Sequence, residues 1–291
     1  MASIPPDYRQ ALPTETETGA LSRRGFLTTS LAVGFAAAVQ PVHAEVISTS
    51  DEGLIAGSVR VPVAGGAIPA YEAYPAVGGP FPTVVVIQEI FGVHEHIRDV
   101  CRRFAKLGYY AISGELYARQ GDVAKLTDIN DIIKIVATVP DNQVNGDIDS
   151  LVDFARSSGK ADTTRLGVTG FCWGGRATWL YAAHNPGVKA AVAWYGLIGP
   201  PMWDKNGTTV FQVANKIRTP VLGLFAEQDK FIPVDQVEKL RAQLKGHPCD
   251  LVVYPGVQHG FHADYRPSYN KAAAEDGWGR LQAWFKRYGV S

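Results

Sequence analysis

Three side chains stand in an order that supports nucleophilic acyl transfer. Cys172 sits in "GFCWGG" (170–175), after a strand-like "TTRLGVT" and before a helix-like "RATWLYAAHN". A strand that feeds straight into a helix through one residue strains that residue. Glycines two places before and two places after it allow the backbones to approach. A thiol placed there meets the helix N-terminus, whose dipole and unpaired N–H groups favour a thiolate and any oxyanion formed beside it. A lone G-x-C-x-G is a weak signal, because glycine turns are common and a buried cysteine often serves as a small hydrophobe. Its setting makes it stronger. Asp229 ends the strand-like "PVLGLFAEQD", and His259 lies in the loop after "CDLVVYPGV". Nucleophile, then acid, then histidine is the chain order of enzymes built on such an elbow. Cys–His–Asp does the work of Ser–His–Asp, with thiolate in place of alkoxide.

The elements that would position these groups alternate regularly. "GSVRVPVAG" and "IPAYEAYPA" read as two strands joined by a Gly-Gly turn. "PTVVVIQEI" (82–90) reads as a strand buried on both faces, ending in Glu89. A carboxylate at the end of an apolar strand, beside a nucleophile, is unusual if it is only structural. The spacing of Ile97, Val100, Cys101, Phe104 and Leu107 predicts a helix closed by Gly108, with Cys101 as a core residue. Further helices are expected near 129–137, in "DIDSLVDFARSSG", after Cys172, from Pro233 and in "EDGWGRLQAWFKRYG", with strands between them. The pattern from residue 45 to the end implies an α/β domain with a mostly parallel sheet and helices on both faces. Ligands on such sheets bind beyond the carboxyl ends of the strands. Those ends carry "QEIFG", Arg119, Cys172, "EQD" and "QHGF".

Composition narrows the function classes. The 291 residues carry 28 basic and 28 acidic side chains, a balance that argues against a nucleic-acid surface. Residues 1–44 read as a separate export segment: Arg23-Arg24 with Phe26 and Leu27, a short apolar run, and "VHA" ending at Ala44. The arginine pair resembles a twin-arginine signal, so the export machinery is an expected partner and the periplasm or exterior the expected location. No other segment is long and apolar enough to span a bilayer, so no stable membrane insertion is expected after cleavage. Cys101, Cys172 and Cys249 are an odd set, too few for a disulfide scaffold. "HEH" at 94–96 lacks a third ligand at useful spacing, so no metal or cofactor is expected.

"QEIFG", "LYARQGD", "GFCWGG", "AEQD" and "QHGF", in this order, resemble the dienelactone hydrolase family of cysteine-dependent α/β-hydrolases. The resemblance covers residues 50–290 and implies the α/β-hydrolase fold and a small ester or lactone substrate. It implies Cys172 as nucleophile, His259 as general base and then acid, and Asp229 as the residue that orients His259. It implies an oxyanion hole from the backbone N–H groups of Trp173 and Ile90. It also implies that Glu89 pairs with the resting thiol and takes its proton when substrate arrives, and that Arg119 binds a substrate carboxylate. The family's second arginine, four residues beyond the histidine, is replaced by Ala263, with His262 and Arg266 nearby. Phe91, Tyr117, Trp173 and Tyr195 either line an apolar pocket or belong to the core. A broader carboxylesterase and a non-catalytic binding protein on the same scaffold are the competing readings.

Overall fold

The computed structural model describes residues 46–201 and 207–291. The expected export segment, 1–44, lies outside the described residues. In chain order the elements are β1 (Leu54–Val63), β2 (Gly66–Pro75), β3 (Phe81–Ile87), α1 (Glu95–Lys106), β4 (Tyr110–Gly114), α2 (Ile129–Val136), α3 (Asp141–Ser157) and β5 (Ala161–Phe171). They continue with α4 (Trp173–His184), β6 (Val188–Trp194), α5 (Val210–Val213), β7 (Val221–Ala226), α6 (Val234–Gln243), β8 (Cys249–Tyr254) and α7 (Lys271–Arg287). Among the described residues the strands form one eight-stranded sheet in the order β1-β2-β4-β3-β5-β6-β7-β8. The β1–β2 and β2–β4 pairs are antiparallel, and every later pair is parallel. This is the α/β architecture expected from the alternating pattern.

The buried strands explain the central location of the site. From Pro82 onward β3 is fully buried, and so is all of β7, which is why both read as unbroken apolar runs. β5 lies between β3 and β6, with Ile87 opposite Gly170 and Phe171 opposite Trp194. Its carboxyl end, and the cysteine beyond it, are therefore flanked on both sides. α4 is buried from Trp173 to Ala182, so it is apolar nearly all round rather than amphipathic. α1 buries Ile97, Val100, Cys101 and Phe104 completely. It stops at Gly108 (φ 89°), where the Gly108 N–H reaches the Ala105 carbonyl and the Tyr109 N–H that of Phe104.

Three boundaries differ from the sequence reading, two through a turn or a contact made by the fold and the third through a local cap. β3 ends at Ile87 rather than 90, because Gln88–Gly92 turns away, with Glu89 bridged to Gly92 and Gly92 at φ 75°. α3 begins at Asp141, upstream of the expected "DIDSLVDFARSSG". There the Asp141 carboxylate receives both Arg176 Nη groups, at 2.7 and 2.8 Å, from α4. α7 begins at Lys271, where the Asn270 side chain accepts the Ala273 N–H at 3.0 Å. Cys101, Cys172 and Cys249 are all free thiols.

Candidate active site

Cys172 is the single residue between β5 and α4, with φ 56° and ψ −113°. A non-glycine residue in that region costs about 1–3 kcal/mol and persists only where its surroundings over-determine it. Here they do. A Cβ on Gly174 would collide with the Ile87 and Gln88 carbonyls, and one on Gly170 with the Gly174 carbonyl and Thr178 Oγ1. The glycine spacing thus lets α4 start directly against the ends of β3 and β5. The Cys172 N–H is fixed to the Trp194 carbonyl at 3.0 Å, and the residue is 1% exposed.

The turns after β7 and β8 bring the acid to the histidine. The Glu227 N–H donates to the Tyr254 carbonyl (3.0 Å) and the Gln228 N–H to the Val257 carbonyl (2.8 Å), tying the two turns together. Asp229 then lies 2.7 Å from His259 Nδ1 through Oδ2, while its Oδ1 accepts the Phe231 N–H at 2.9 Å. Both side chains are buried. Cys172 lies near enough to the same imidazole to act on its charge. Burial disfavours the charged ring, but Asp229 and Cys172 outweigh it and raise the His259 pKa to about 10. Tyr195 (φ 38°) and Phe231 close on the same imidazole edge-on, at centroid distances of 5.0 and 5.3 Å.

Glu89 is fully buried, and its partners were only partly visible in the sequence. Its Oε1 lies 3.0 Å from Arg266 Nη2, too obliquely for a hydrogen bond, and its Oε2 accepts the Tyr265 hydroxyl at 2.5 Å. His94 Nε2 stands 3.6 Å from the same Oε2. Burial opposes ionisation, yet Arg266 and His94 hold the carboxyl well below the usual carboxylate range. Among the described residues Glu89 therefore pairs with Arg266, Tyr265 and His94 rather than with Cys172. The stronger countercharge accounts for this. Arg266 also lies within the field of Cys172.

Ala263 stands where the family pattern has arginine, but two successive turns carry Arg266 back into the site. The Ala263 N–H meets the Gly260 carbonyl and the Arg266 N–H that of Ala263, at 2.9 and 3.0 Å. The guanidinium then lies against Gly260 (φ 79°), where a Cβ would fall 2.9 Å from Nη1. Neither Nη1 nor Nη2 makes a hydrogen bond to a described residue, although the side chain is fully buried. Sequence counting fixed on the fourth position after His259 and so gave Arg266 no role. The signal in the sequence is the arginine that ends "HADYR", and only the turns show that it reaches back.

Trp173 opens α4, so its N–H is one of the first four, which lack an acceptor within the helix. Ile90 lies in the turn after β3, fully buried. The Tyr117 hydroxyl donates to the Glu89 carbonyl at 3.2 Å, which fixes the Glu89–Ile90 peptide plane and with it the direction of the Ile90 N–H. Tyr117 also packs edge-on against Trp173, at 4.8 Å. Tyr117, Trp173 and Tyr195 are core-buried aromatics, while Phe91 is partly exposed. Arg119 donates from Nη2 to Asp147 of α3 at 2.5 Å and from Nη1 to the Ala64 carbonyl at 3.4 Å. Among the described residues no group of three or more His, Cys, Asp or Glu side chains could hold a metal ion.

A mostly parallel sheet, a strained cysteine between its central strand and a buried helix, and an Asp–His pair on the following turns define an α/β-hydrolase fold with cysteine at the elbow. The chain belongs to the dienelactone hydrolase family, whose model matches residues 68–289. It is 59% identical over 278 residues to a Methylorubrum extorquens protein assigned as a carboxymethylenebutenolidase, covering 93% of this chain and 94% of that one. An Escherichia coli K12 protein assigned the same way is 47% identical over 267 residues, covering 90% and 98%. The crystal structure of a protein from Klebsiella pneumoniae, assigned as a dienelactone hydrolase, superposes with a TM-score of 0.77 at 50% identity. That match covers 81% of this chain and 99% of the other.

Proposed function

We propose that the protein hydrolyses a lactone or small carboxylic ester through a thioester on Cys172. The observation that carries this reading is the buried Asp229–His259 contact of 2.7 Å, with Cys172 at a strained elbow near enough to act on the same imidazole. In this reading the Cys172 sulfur attacks the acyl carbon, and the backbone N–H groups of Trp173 and Ile90 receive the developing oxyanion. His259 protonates the leaving alkoxide, then takes a proton from the water that cleaves the thioester. Asp229 holds the ring orientation and its positive charge.

Glu89 is the proposed acceptor of the Cys172 proton during substrate entry. Arg266 holds it ionised in the free enzyme. A substrate carboxylate that draws Arg266 toward itself would remove that countercharge, raise the Glu89 pKa and make it a base. Nη1 and Nη2 of a fully buried guanidinium make no hydrogen bond, and Glu89 meets only Nη2 and obliquely, which supports an anionic substrate. Arg119 is the second proposed anchor for that anion, in competition with Asp147. We further propose that residues 1–44 direct export by the twin-arginine route and that the mature enzyme begins near Glu45 outside the cytoplasm. Intact mass of protein from its native host tests this, and a full-length cytoplasmic product overturns it.

A panel of carboxylate-bearing lactones and neutral aryl esters tests the activity. Turnover that disappears in Cys172→Ala, with an acyl adduct on Cys172 in the wild type by mass spectrometry, is the expected result. Hydrolysis that survives alkylation of Cys172 rejects the mechanism, and tight substrate binding without turnover points to a binding protein instead.

A further inference from the structure

Ester cleavage above the pKa of the product acid releases one proton per turnover, and the acceptor proposed for the thiol proton is sealed from water. Glu89 is 0% exposed, so a proton placed on it needs an outlet. Two neighbours of its carboxylate lead outward, His94 Nε2 at 3.6 Å and, at hydrogen-bond distance, the Tyr265 hydroxyl. The Tyr265 hydroxyl lies 2.5 Å from Glu89 Oε2 and 3.5 Å from His94 Nε2. Tyr265 is half-buried, and the His94 side chain is 23% exposed at the N-terminus of α1. The chain thus runs from a sealed carboxylate, through a hydroxyl that can both give and take a proton, to an imidazole in contact with solvent.

We propose that Tyr265 and His94 form a relay that carries the Glu89 proton out of the active site between turnovers. This rests on the hydrolase reading above. In the step, the Glu89 O–H bond breaks as its proton joins the Tyr265 oxygen, and the Tyr265 O–H bond breaks as its proton joins His94 Nε2. The products are a Glu89 carboxylate, a neutral Tyr265 phenol and a His94 imidazolium, which gives one proton to water. The Cys172 thiolate freed by deacylation regains its proton from the product acid, so that one proton leaves per turnover. No electrons change hands, and the phenol is regenerated in the step.

The surroundings fit these roles. Arg266 Nε donates to the Tyr265 oxygen at 3.1 Å, so the hydroxyl proton stays free to point at Glu89 or at His94. The charged and titratable groups facing His94 are Glu89, His96, Tyr265 and Arg266. Burial lowers the His94 pKa despite Glu89. Burial likewise keeps Tyr265 a neutral phenol. His96 is not an alternative outlet, because it is buried and its Nδ1 is committed to Asp264 at 3.2 Å.

Stopped-flow hydrolysis of an aryl ester separates the relay from the chemistry. In weakly buffered solution His94→Ala and Tyr265→Phe are expected to keep the first-turnover burst of alcohol, while steady-state kcat falls about tenfold or more. Added imidazole should restore kcat in His94→Ala, as a mobile substitute for the missing ring, and not in Tyr265→Phe. A His94→Ala enzyme with wild-type kcat at low buffer overturns the relay. So does a slow His94→Ala enzyme whose rate ignores imidazole, since that marks a structural defect at this position. Loss of the burst in both variants also overturns it, because the pair would then act in acylation. A wild-type enzyme without Cys172-dependent cleavage overturns the hydrolase reading together with the relay.

Discussion

The Arg266 guanidinium and the Glu89 carboxylate, both fully buried, lie 3.0 Å apart at the heart of the site. Taking two charges out of water costs several kcal/mol per ion, so the pair is held for its chemistry more than for its net stability. It keeps the Glu89 carboxylate ionised at the end of β3.

That pairing sets an acid dependence. Arg266 and His94 hold Glu89 below its ordinary value of about 4.5 against the effect of burial. As the pH falls below that value the unfolded chain takes up a proton that the folded protein refuses. Stability should therefore be full above about pH 4.5 and decline below it, by up to about 1.4 kcal/mol per pH unit from this one group. Glu89→Gln should be less stable at neutral pH but show a shallower acid limb in urea titrations. An unchanged slope below pH 4.5 would mean that Glu89 is not ionised in the folded state.

The elbow makes a paired prediction about glycine. Gly174→Ala should destabilise by more than about 2 kcal/mol, because its Cβ would meet the Ile87 and Gln88 carbonyls, backbone atoms that cannot swing aside. Gly279 is exposed within α7, and a Cβ there would meet nothing within 4 Å. Its replacement by alanine should add up to about 1 kcal/mol of stability. Thermal melts of the two variants against wild type decide this. Equal effects would remove close backbone approach as the reason for Gly174.

Asp229→Asn tests the histidine's partner. Asp229 is the strongest influence raising the His259 pKa to about 10, so its neutral isostere should bring that pKa down. The loss of orientation and charge should lower kcat by about 10³–10⁴-fold with the fold intact. NMR titration of the His259 ring and steady-state kinetics are the measurements. A variant within a few fold of wild type would assign Asp229 to loop structure, through its bond to the Phe231 N–H.

Arg119 and Asp147 should act in opposite directions on substrates carrying a carboxylate. Arg119→Ala should raise KM for such lactones by about tenfold or more, the value of a lost charge-assisted hydrogen bond, and spare neutral esters. Asp147→Asn releases the guanidinium from its 2.5 Å contact and should lower KM for the same lactones. Equal losses on charged and neutral substrates would confine Arg119 to bracing α3.

The sequence alone determined the fold class, because apolar runs at strand and helix period alternate from residue 54 to the end. Local rules reach that far: a buried parallel strand must read as β3 and β7 do, and an elbow needs glycines at 170 and 174. The order Cys172, Asp229, His259 was legible for the same reason, since each lies just past a strand whose end is set by its own residues. The partners of Glu89 and Arg119 were decided by tertiary structure. Arg266 reaches Glu89 only because two turns after Gly260 fold the chain back on itself, a register that residue counting does not contain. Tyr265 and His94 meet over Glu89 from segments about 170 residues apart, at a distance set by the packing of α1 beside the loop after β8. Arg119 meets Asp147 only because α3 lies beside the loop after β4. Pairings between charges depend on which surfaces the sheet brings together, and no local pattern encodes that.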